Sequence, residues 1–191
     1  MSDTLANDLI TPDADAAPLL SQSGVSMLKA APIARLSLRA RKATLKDAGS
    51  AFGVELPVKP MTCNTGQKRA VLWMGPDEWT LLAPADDLKA TFDAIEGKLE
   101  SHPHALIDIS ERSEAVIVSG EKAVWLLNTG IFIDFSLETF PVGTVTRTIF
   151  HKSPVMVWRT GTDTFVVEAW VSFMDYVSGL LVQSARELEA A

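Results

Sequence analysis

The sequence predicts an α+β fold made of two duplicated sheet-and-helix halves, with mixed, mostly antiparallel sheets and helices packed on them. Short apolar or alternating runs of strand length recur along the chain, amphipathic helical stretches lie between them, and one hairpin pattern occurs twice. The first copy reads Val71-Leu72-Trp73-Met74-Gly75-Pro76-Asp77-Glu78-Trp79-Thr80-Leu81 and the second Val157-Trp158-Arg159-Thr160-Gly161-Thr162-Asp163-Thr164-Phe165-Val166-Val167. Gly161 follows Gly75 by 86 residues, as Asp163 follows Asp77 and Phe165 follows Trp79. Gly and Asp are common in turns, so one shared hairpin would mean little. The constant offset, with an amphipathic helix after each copy, favours duplication. Gly53 with Gly130, and the Leu36 strand with the Val116 strand, correspond more loosely.

In chain order, residues 1–30 are rich in Asp, Ala, Ser and Pro without a sustained apolar period, which predicts a flexible N-terminal arm. The domain is expected over 31–191, as pseudo-repeats of about 31–103 and 104–191. Ile33, Leu36 and Leu38 suggest a first strand. Thr44 to Phe52 predicts a short helix with Thr44 as N-cap and Gly53 near its end, then an extended stretch holding Pro57 and Pro60. Ala70–Met74 and Trp79–Leu82 flank a hairpin turn. Leu88, Phe92, Ile95 and Leu99 recur at helical spacing, predicting a helix over about 85–100 with Asp86 or Asp87 capping it.

Ala105–Ile109 and Ala115–Val118 read as strands, and Gly120 opens a helix that ends by Gly130. Thr144–Phe150, Pro154–Thr160 and Thr164–Trp170 read as strands. Val171–Leu188 reads as a closing helix with Phe173, Val177, Leu180, Leu181 and Leu188 on its apolar face and Met174 beside them. Gly179 suggests a kink or a close approach there.

Of 191 residues, 47% are hydrophobic and 21% charged, which is the composition of a folding chain. No apolar run reaches the roughly 20 residues of a spanning helix. The first 18 residues carry no basic side chain, so neither a secretory signal nor a transit peptide is expected, and the expected location is the cytoplasm. The single cysteine, Cys63, forms no internal disulfide and no cysteine-based metal cage. A net charge of −7 repels phosphate backbones, which argues against nucleic-acid binding.

The strings Leu72-Trp73-Met74-Gly75-Pro76-Asp77-Glu78-Trp79, Asp108-Ile109-Ser110-Glu111-Arg112, Gly120-Glu121-Lys122-Ala123-Val124-Trp125-Leu126-Leu127 and Phe140-Pro141-Val142-Gly143-Thr144 resemble the gamma subunits of heterotetrameric sarcosine oxidases. The resemblance spans roughly 33–188. That family is in turn similar to the duplicated folate-binding fold of the glycine-cleavage T-protein, so the halves are expected to be ferredoxin-like or T-protein-like and to pack as an intramolecular pseudo-dimer. The resemblance implies a flavoenzyme complex that demethylates sarcosine to glycine, making hydrogen peroxide and formaldehyde or, with tetrahydrofolate, methylene-tetrahydrofolate. It implies alpha, beta and delta partner subunits, chiefly the large alpha subunit, which hold FAD, FMN and NAD. The chain itself has no G-x-G-x-x-G to seat a dinucleotide, so no cofactor is expected in it. A homo-oligomer is conceivable for the isolated chain, and a stand-alone folate-binding or C1-transfer protein is the alternative function.

Candidate chemistry is sparse, and no catalytic or metal-binding residue is expected. His102-x-His104 offers a pair of ligands where a metal needs three or more, and His151 stands apart. No nucleophile elbow is present. Cys63-Asn64-Thr65-Gly66-Gln67 partly resembles a C-x-x-G-Q string of folate-dependent iron–sulfur-assembly relatives of the T-protein. Met61-Thr62 and Lys68 depart from that motif, and the string lies in the first half, so an ordinary loop fits better. Asp108, Ser110 and Arg112 alternate as if on one face of a strand end, where Arg112 could fork onto folate's glutamate tail or a partner's acid. A local charge pair or turn cap is the plainer reading. Most of the five tryptophans are expected in the core, with Trp73 or Trp158 the candidates to face a partner.

Overall fold

The structure is a computed structural model that describes residues 9–189, excepting the side chains of Leu188 and Glu189. Residues 1–8 of the expected arm and the Leu188 side chain lie outside that range. In order, the elements are β1 (Leu20–Gln22), β2 (Val25–Lys29), β3 (Ala34–Ala40), α1 (Leu45–Phe52), β4 (Cys63–Gly66), β5 (Arg69–Gly75), β6 (Glu78–Ala83), α2 (Leu88–Leu99) and β7 (His104–Asp108). There follow β8 (Ser113–Ser119), α3 (Ala123–Asn128), β9 (Val145–Phe150), β10 (Ser153–Gly161), β11 (Thr164–Trp170) and α4 (Val171–Glu189). Among the described residues, no helix is long and apolar enough to cross a membrane.

The chain divides into two compact units. One contains residues 9–10 and 32–110, and the other residues 11–31 and 111–189. The 32–110 unit has a sheet in the order β4-β5-β6-β3-β7, antiparallel throughout. Its core packs Leu36, Leu38, Val71, Trp79 and Leu81 against Phe52 of α1 and Ile95 and Leu99 of α2. The other sheet runs β9-β10-β11-β8-β2-β1, also antiparallel, and packs Met27, Val116, Val118, Val157, Phe165 and Val167 with Leu126, Leu127, Val177 and Leu181 of the helices.

The duplication is visible in the registers. Leu38 pairs with Trp79 in one sheet and Val118 with Phe165 in the other. Each hairpin carries an irregularity at the same place, between Trp73 and Gly75 and between Arg159 and Gly161, again 86 residues apart. A shared bulge is a stronger sign of common origin than shared turn residues, because it re-aims the strand at one chosen point.

The expected repeat boundaries cut across both sheets. Beside β3 lies β7, which begins the 104–191 half of the sequence, and beside β8 lies β2, from the presumed arm. The leading strand of the second half, β7, is therefore housed in the sheet of the first half's strands, and β1 and β2 from residues 1–30 complete the sheet of the second half's strands. This corrects the reading of 1–30 as an arm: β2 pairs Leu28 with Ile117 and Met27 with Val118, and Met27 has 0% exposure. The stretch is too short to announce itself, since Val25-Ser26-Met27-Leu28-Lys29 gives only five residues of strand character, and pairing with β1 and β8 makes it a strand. Its turn is tied down too. Gly24 O accepts the Lys122 amide, and Gly120, at φ 118°, would place a side-chain Cβ 2.4 Å from that same oxygen. Only glycine fits there.

Several local expectations change in detail. Gly53 ends α1 in the left-handed conformation as expected, but the Thr44 hydroxyl donates to Arg41 O and does not cap the helix. Asp87 does not cap α2 either, because its carboxylate accepts Arg69 Nη2 at 3.1 Å. The stretch from Cys63 is strand β4, turned into β5 by Gln67 and Lys68 at positive φ, and not a loop. On α4 the buried face is Met174, Val177, Leu181 and Ala185, with Phe173 left exposed. Gly179 meets nothing within 4 Å, so it marks no close approach.

Candidate functional site

Asp108, Ser110 and Arg112 do not share one strand face. β7 stops at Asp108 and residues 110–112 form a single 3-10 turn. Asp108 Oδ1 accepts the Ser110 amide at 2.9 Å and its hydroxyl at 2.6 Å, while Ser110 Oγ accepts the Arg35 amide at 2.9 Å. These two residues thus close a turn and tie it to β3, the plainer of the two readings. Arg112 goes elsewhere: its guanidinium carbon lies 5.9 Å from the centroid of the Trp170 ring.

The histidines are also spent on local contacts. His104 Nδ1 lies 2.8 Å from His102 O and its Nε2 lies 3.4 Å from Glu96 Oε1, while His102 Nε2 is 3.8 Å from Asp47 Oδ2. His151 sits in the left-handed region, edge-on to Phe150. Gly130 is required by this arrangement, since a Cβ there would fall 2.4 Å from the Phe150 ring. Among the described residues, no three His, Cys, Asp or Glu side chains gather as metal ligands would. Cys63 is half-buried on edge strand β4. A shallow cleft of about 470 Å³ along α1 is lined by Leu45, Lys46, Gly49, Ser50, Glu55 and Leu56, which place a lysine and a glutamate in it but no histidine or cysteine.

A densely hydrogen-bonded polar cluster centres on a residue the sequence did not mark. Arg159 is 2% exposed. Its Nη1 donates to Phe135 O and Phe140 O, both at 2.8 Å, and its Nε donates to Thr162 O at 3.1 Å and Gly161 O at 3.3 Å. Nη2 also donates to Thr162 O, and the guanidinium carbon stands 4.9 Å from the Phe165 centroid. Burial pushes this group below its ordinary pKa and the Asp163 charge opposes that. The available signal was comparative: Arg159 occupies the position of Trp73, 86 residues earlier, where the first repeat packs an aromatic ring beside its core.

Arg159 thereby pins both ends of the segment from Phe135 to Phe140, and Asp134 braces its start. Asp134 accepts the Ser136 amide at 2.8 Å, the Thr139 hydroxyl at 2.9 Å and the Ser136 hydroxyl at 3.1 Å. The amide bond first, then the two hydroxyls, hold its carboxyl below the ordinary 3.8. A carboxyl with a lowered folded pKa stabilises above the unfolded value, and loses that contribution as pH falls through the folded one. Amide protection at Ser136 should accordingly be constant at neutral pH and fall only below about pH 3.8, read by hydrogen exchange. Equal protection factors at about pH 5 and about pH 2 would contradict this.

The segment presents Phe132 just before it, 94% exposed, and Leu137 and Trp125 are half-exposed. The half-exposed tryptophans are Trp125 and Trp170. Trp158, expected to face a partner, has 0% exposure, and its indole N–H finds no acceptor among the described residues. Trp73 packs beside the core of the 32–110 unit.

This arrangement, a duplicated scaffold with exposed aromatics and locally satisfied polar side chains, agrees with the comparisons. The sarcosine oxidase, gamma subunit family model matches residues 39–187. The chain belongs to that family. Gamma subunit relatives include "Sarcosine oxidase subunit gamma" of Corynebacterium sp. (strain U-96), 28% identical over 93% of this chain and 87% of the relative. The protein of the same name from Arthrobacter sp. is 28% identical over 72% of this chain and 68% of the relative. A chain of the heterotetrameric sarcosine oxidase from Corynebacterium sp. U-96 superposes with a TM-score of 0.83 at 27% identity, over 98% of this chain and 94% of that one. The glycine cleavage system aminomethyltransferase T of Bartonella henselae matches with a TM-score of 0.67 at 12% identity, over 85% of this gamma-family chain and 46% of that one, which is a likeness of fold.

Proposed function

We propose that this chain is the gamma subunit of a heterotetrameric sarcosine oxidase and that it acts as a non-catalytic, structural member of that complex. The observation that carries the reading is the end-to-end match to a chain of such an enzyme, covering 98% of this chain at a TM-score of 0.83. In this reading the complex oxidatively demethylates sarcosine in the cytoplasm. The alpha, beta and delta subunits hold FAD, FMN and NAD and supply the reacting atoms, with tetrahydrofolate as a co-substrate of the complex. The alpha subunit is the main partner.

The local uses found for His102, His104, Asp108 and Ser110 support a scaffold in place of a reaction centre. So does the exposure of Phe132 beside a segment fixed by Arg159, since rigid aromatic side chains are favoured as interface anchors. The stand-alone C1-transfer reading has only the likeness of fold to the T-protein in its favour. Purified alone and given sarcosine, tetrahydrofolate and oxygen, the chain should release no peroxide above background, whereas the four-subunit complex turns over. Turnover by the isolated chain at a rate near that of the complex would overturn the proposal.

A further inference from the structure

Trp170 ends β11 on the sheet face opposite the core, because Phe165, Val167 and Ala169 occupy the inward positions of that alternating strand. It is 50% exposed, and its ring lies 6.3 Å from that of Phe173, itself 36% exposed. Val171 and Tyr176 stand half-exposed on the same first turns of α4, Tyr176 three residues beyond Phe173. Scattered exposed apolar side chains are ordinary, but here four large ones fall between Trp170 and Tyr176 at one strand-to-helix junction, with the Trp170 and Phe173 rings paired.

Arg112 is laid over the Trp170 ring. The ring contact restrains the long side chain, and the residue stays exposed with the fork of N–H donors of its guanidinium. Among the described residues, no carboxylate and no hydrogen-bond acceptor engages that fork, although Glu111 precedes it and Asp175 lies on α4. The surface is thus an apolar shelf with a pre-positioned cation at one side. A purely apolar occupant would bury the guanidinium unpaired, at a high cost, and a basic one would be repelled. An acid flanked by apolar side chains satisfies both parts. Arginine, tryptophan and tyrosine are also the side chains that most often dominate binding energy at interfaces.

We propose that the Arg112–Trp170 face docks a segment of a neighbouring oxidase subunit that presents an aspartate or glutamate among apolar side chains. The inference rests on the gamma-subunit reading above and adds to it the place and chemistry of one contact.

The test uses the intact complex, recovered through a tag on this chain. Arg112→Glu and Trp170→Ala should each lower recovery of the other subunits at least about 10-fold, with Arg112→Lys falling between them and the unaltered chain, because lysine cannot form the planar fork. Lys89→Glu, at an exposed position of α2 in the 32–110 unit, should leave recovery unchanged. Circular dichroism and melting of each isolated variant must match the unaltered chain, and Arg112→Gln replaces any variant that does not fold. Full recovery with folded Arg112→Glu and Trp170→Ala would overturn the docking proposal while leaving the subunit assignment standing. Arg112-dependent binding of free folate, or self-association of the isolated chain abolished by Trp170→Ala, would also overturn it by assigning the face to another occupant. Failure of the unaltered chain to recover any flavoprotein subunit would overturn the assignment and the docking proposal together.

Discussion

A chain shortened by its first 30 residues is expected to melt at least about 10 °C below the full-length protein, or to lose the cooperative transition of the 111–189 unit altogether. The truncation removes β1 and β2, and with them Leu20, Val25 and Met27, all buried in the core of that unit. Fully burying a side chain of this kind is worth about 1.5–3 kcal/mol, so the three together represent roughly 4–9 kcal/mol. That is comparable with the about 5–15 kcal/mol that holds a typical domain folded.

The loss is more than apolar area. β8 pairs with β2 from Val116 to Ser119, and without that partner it becomes the edge of the sheet, with unpaired backbone groups beside Val116 and Val118. The Ser26–Ser119 hydroxyl contact at 2.8 Å and the Lys29–Glu114 ion pair at 3.2 Å go as well, although the exposed ion pair contributes little. Aggregation on heating is expected to accompany the lower melting temperature. A truncated chain that melts within about 2 °C of the full-length protein, with equal amplitude, would restore the reading of this segment as a free arm.

Replacing Arg159 with methionine is expected to destabilise the 111–189 unit by about 3–5 kcal/mol, seen in urea as a lower midpoint with little change in slope. Methionine fills similar volume, so the effect reports the lost hydrogen bonds together with the lost contact on the Phe165 ring. Phe135 O, Phe140 O, Gly161 O and Thr162 O each lose a donor, and most of these bonds are buried, where an unpaired carbonyl is costly. A buried ion pair can often be exchanged for apolar side chains without loss, but backbone carbonyls cannot be exchanged. Lysine restores the charge as a single point and cannot reach carbonyls on two separate segments, so Arg159→Lys should recover less than half of the deficit. A methionine variant within about 0.5 kcal/mol of the unaltered protein would show that Arg159 does not hold the 135–140 segment.

The two outcomes separate different parts of the architecture. Truncation tests whether the sheet needs a strand from outside its own half, and the Arg159 series tests whether the loop that follows Phe132 is fixed by one side chain. Both concern the scaffold.

What could be read from the residues follows the range of the interactions involved. The hairpins at Gly75 and Gly161, helix α2 and the extent of helix α4 are set by neighbours within a few residues, whose periodicity survives in any one-dimensional reading. The duplication was legible for the same reason, since equal offsets need only counting, and so was the family resemblance. Phe173 was misplaced because a helix of period 3.6 admits two overlapping apolar stripes, and only the packing of α4 on its sheet selects Met174, Val177, Leu181 and Ala185.

Pairing partners far apart in the chain were not legible. β2 is only five residues long, too short to announce a strand on its own, and it lies between β1 and β8, the latter about 90 residues later. The alternation of Asp108, Ser110 and Arg112 suggested one face, but the chain leaves the strand at Asp108, so two of them close a turn and the third reaches Trp170. Arg159 looked like one more polar residue in a strand, because the Phe135 and Phe140 carbonyls that bury it come from a segment about 20 residues earlier and leave no trace beside it in the sequence. The amino-acid order by itself thus determined the hairpins and longer helices, their repetition and the family. The tertiary structure alone decided which sheets β2 and β7 join and which cations are buried or displayed, because those outcomes depend on contacts between residues that only folding brings together.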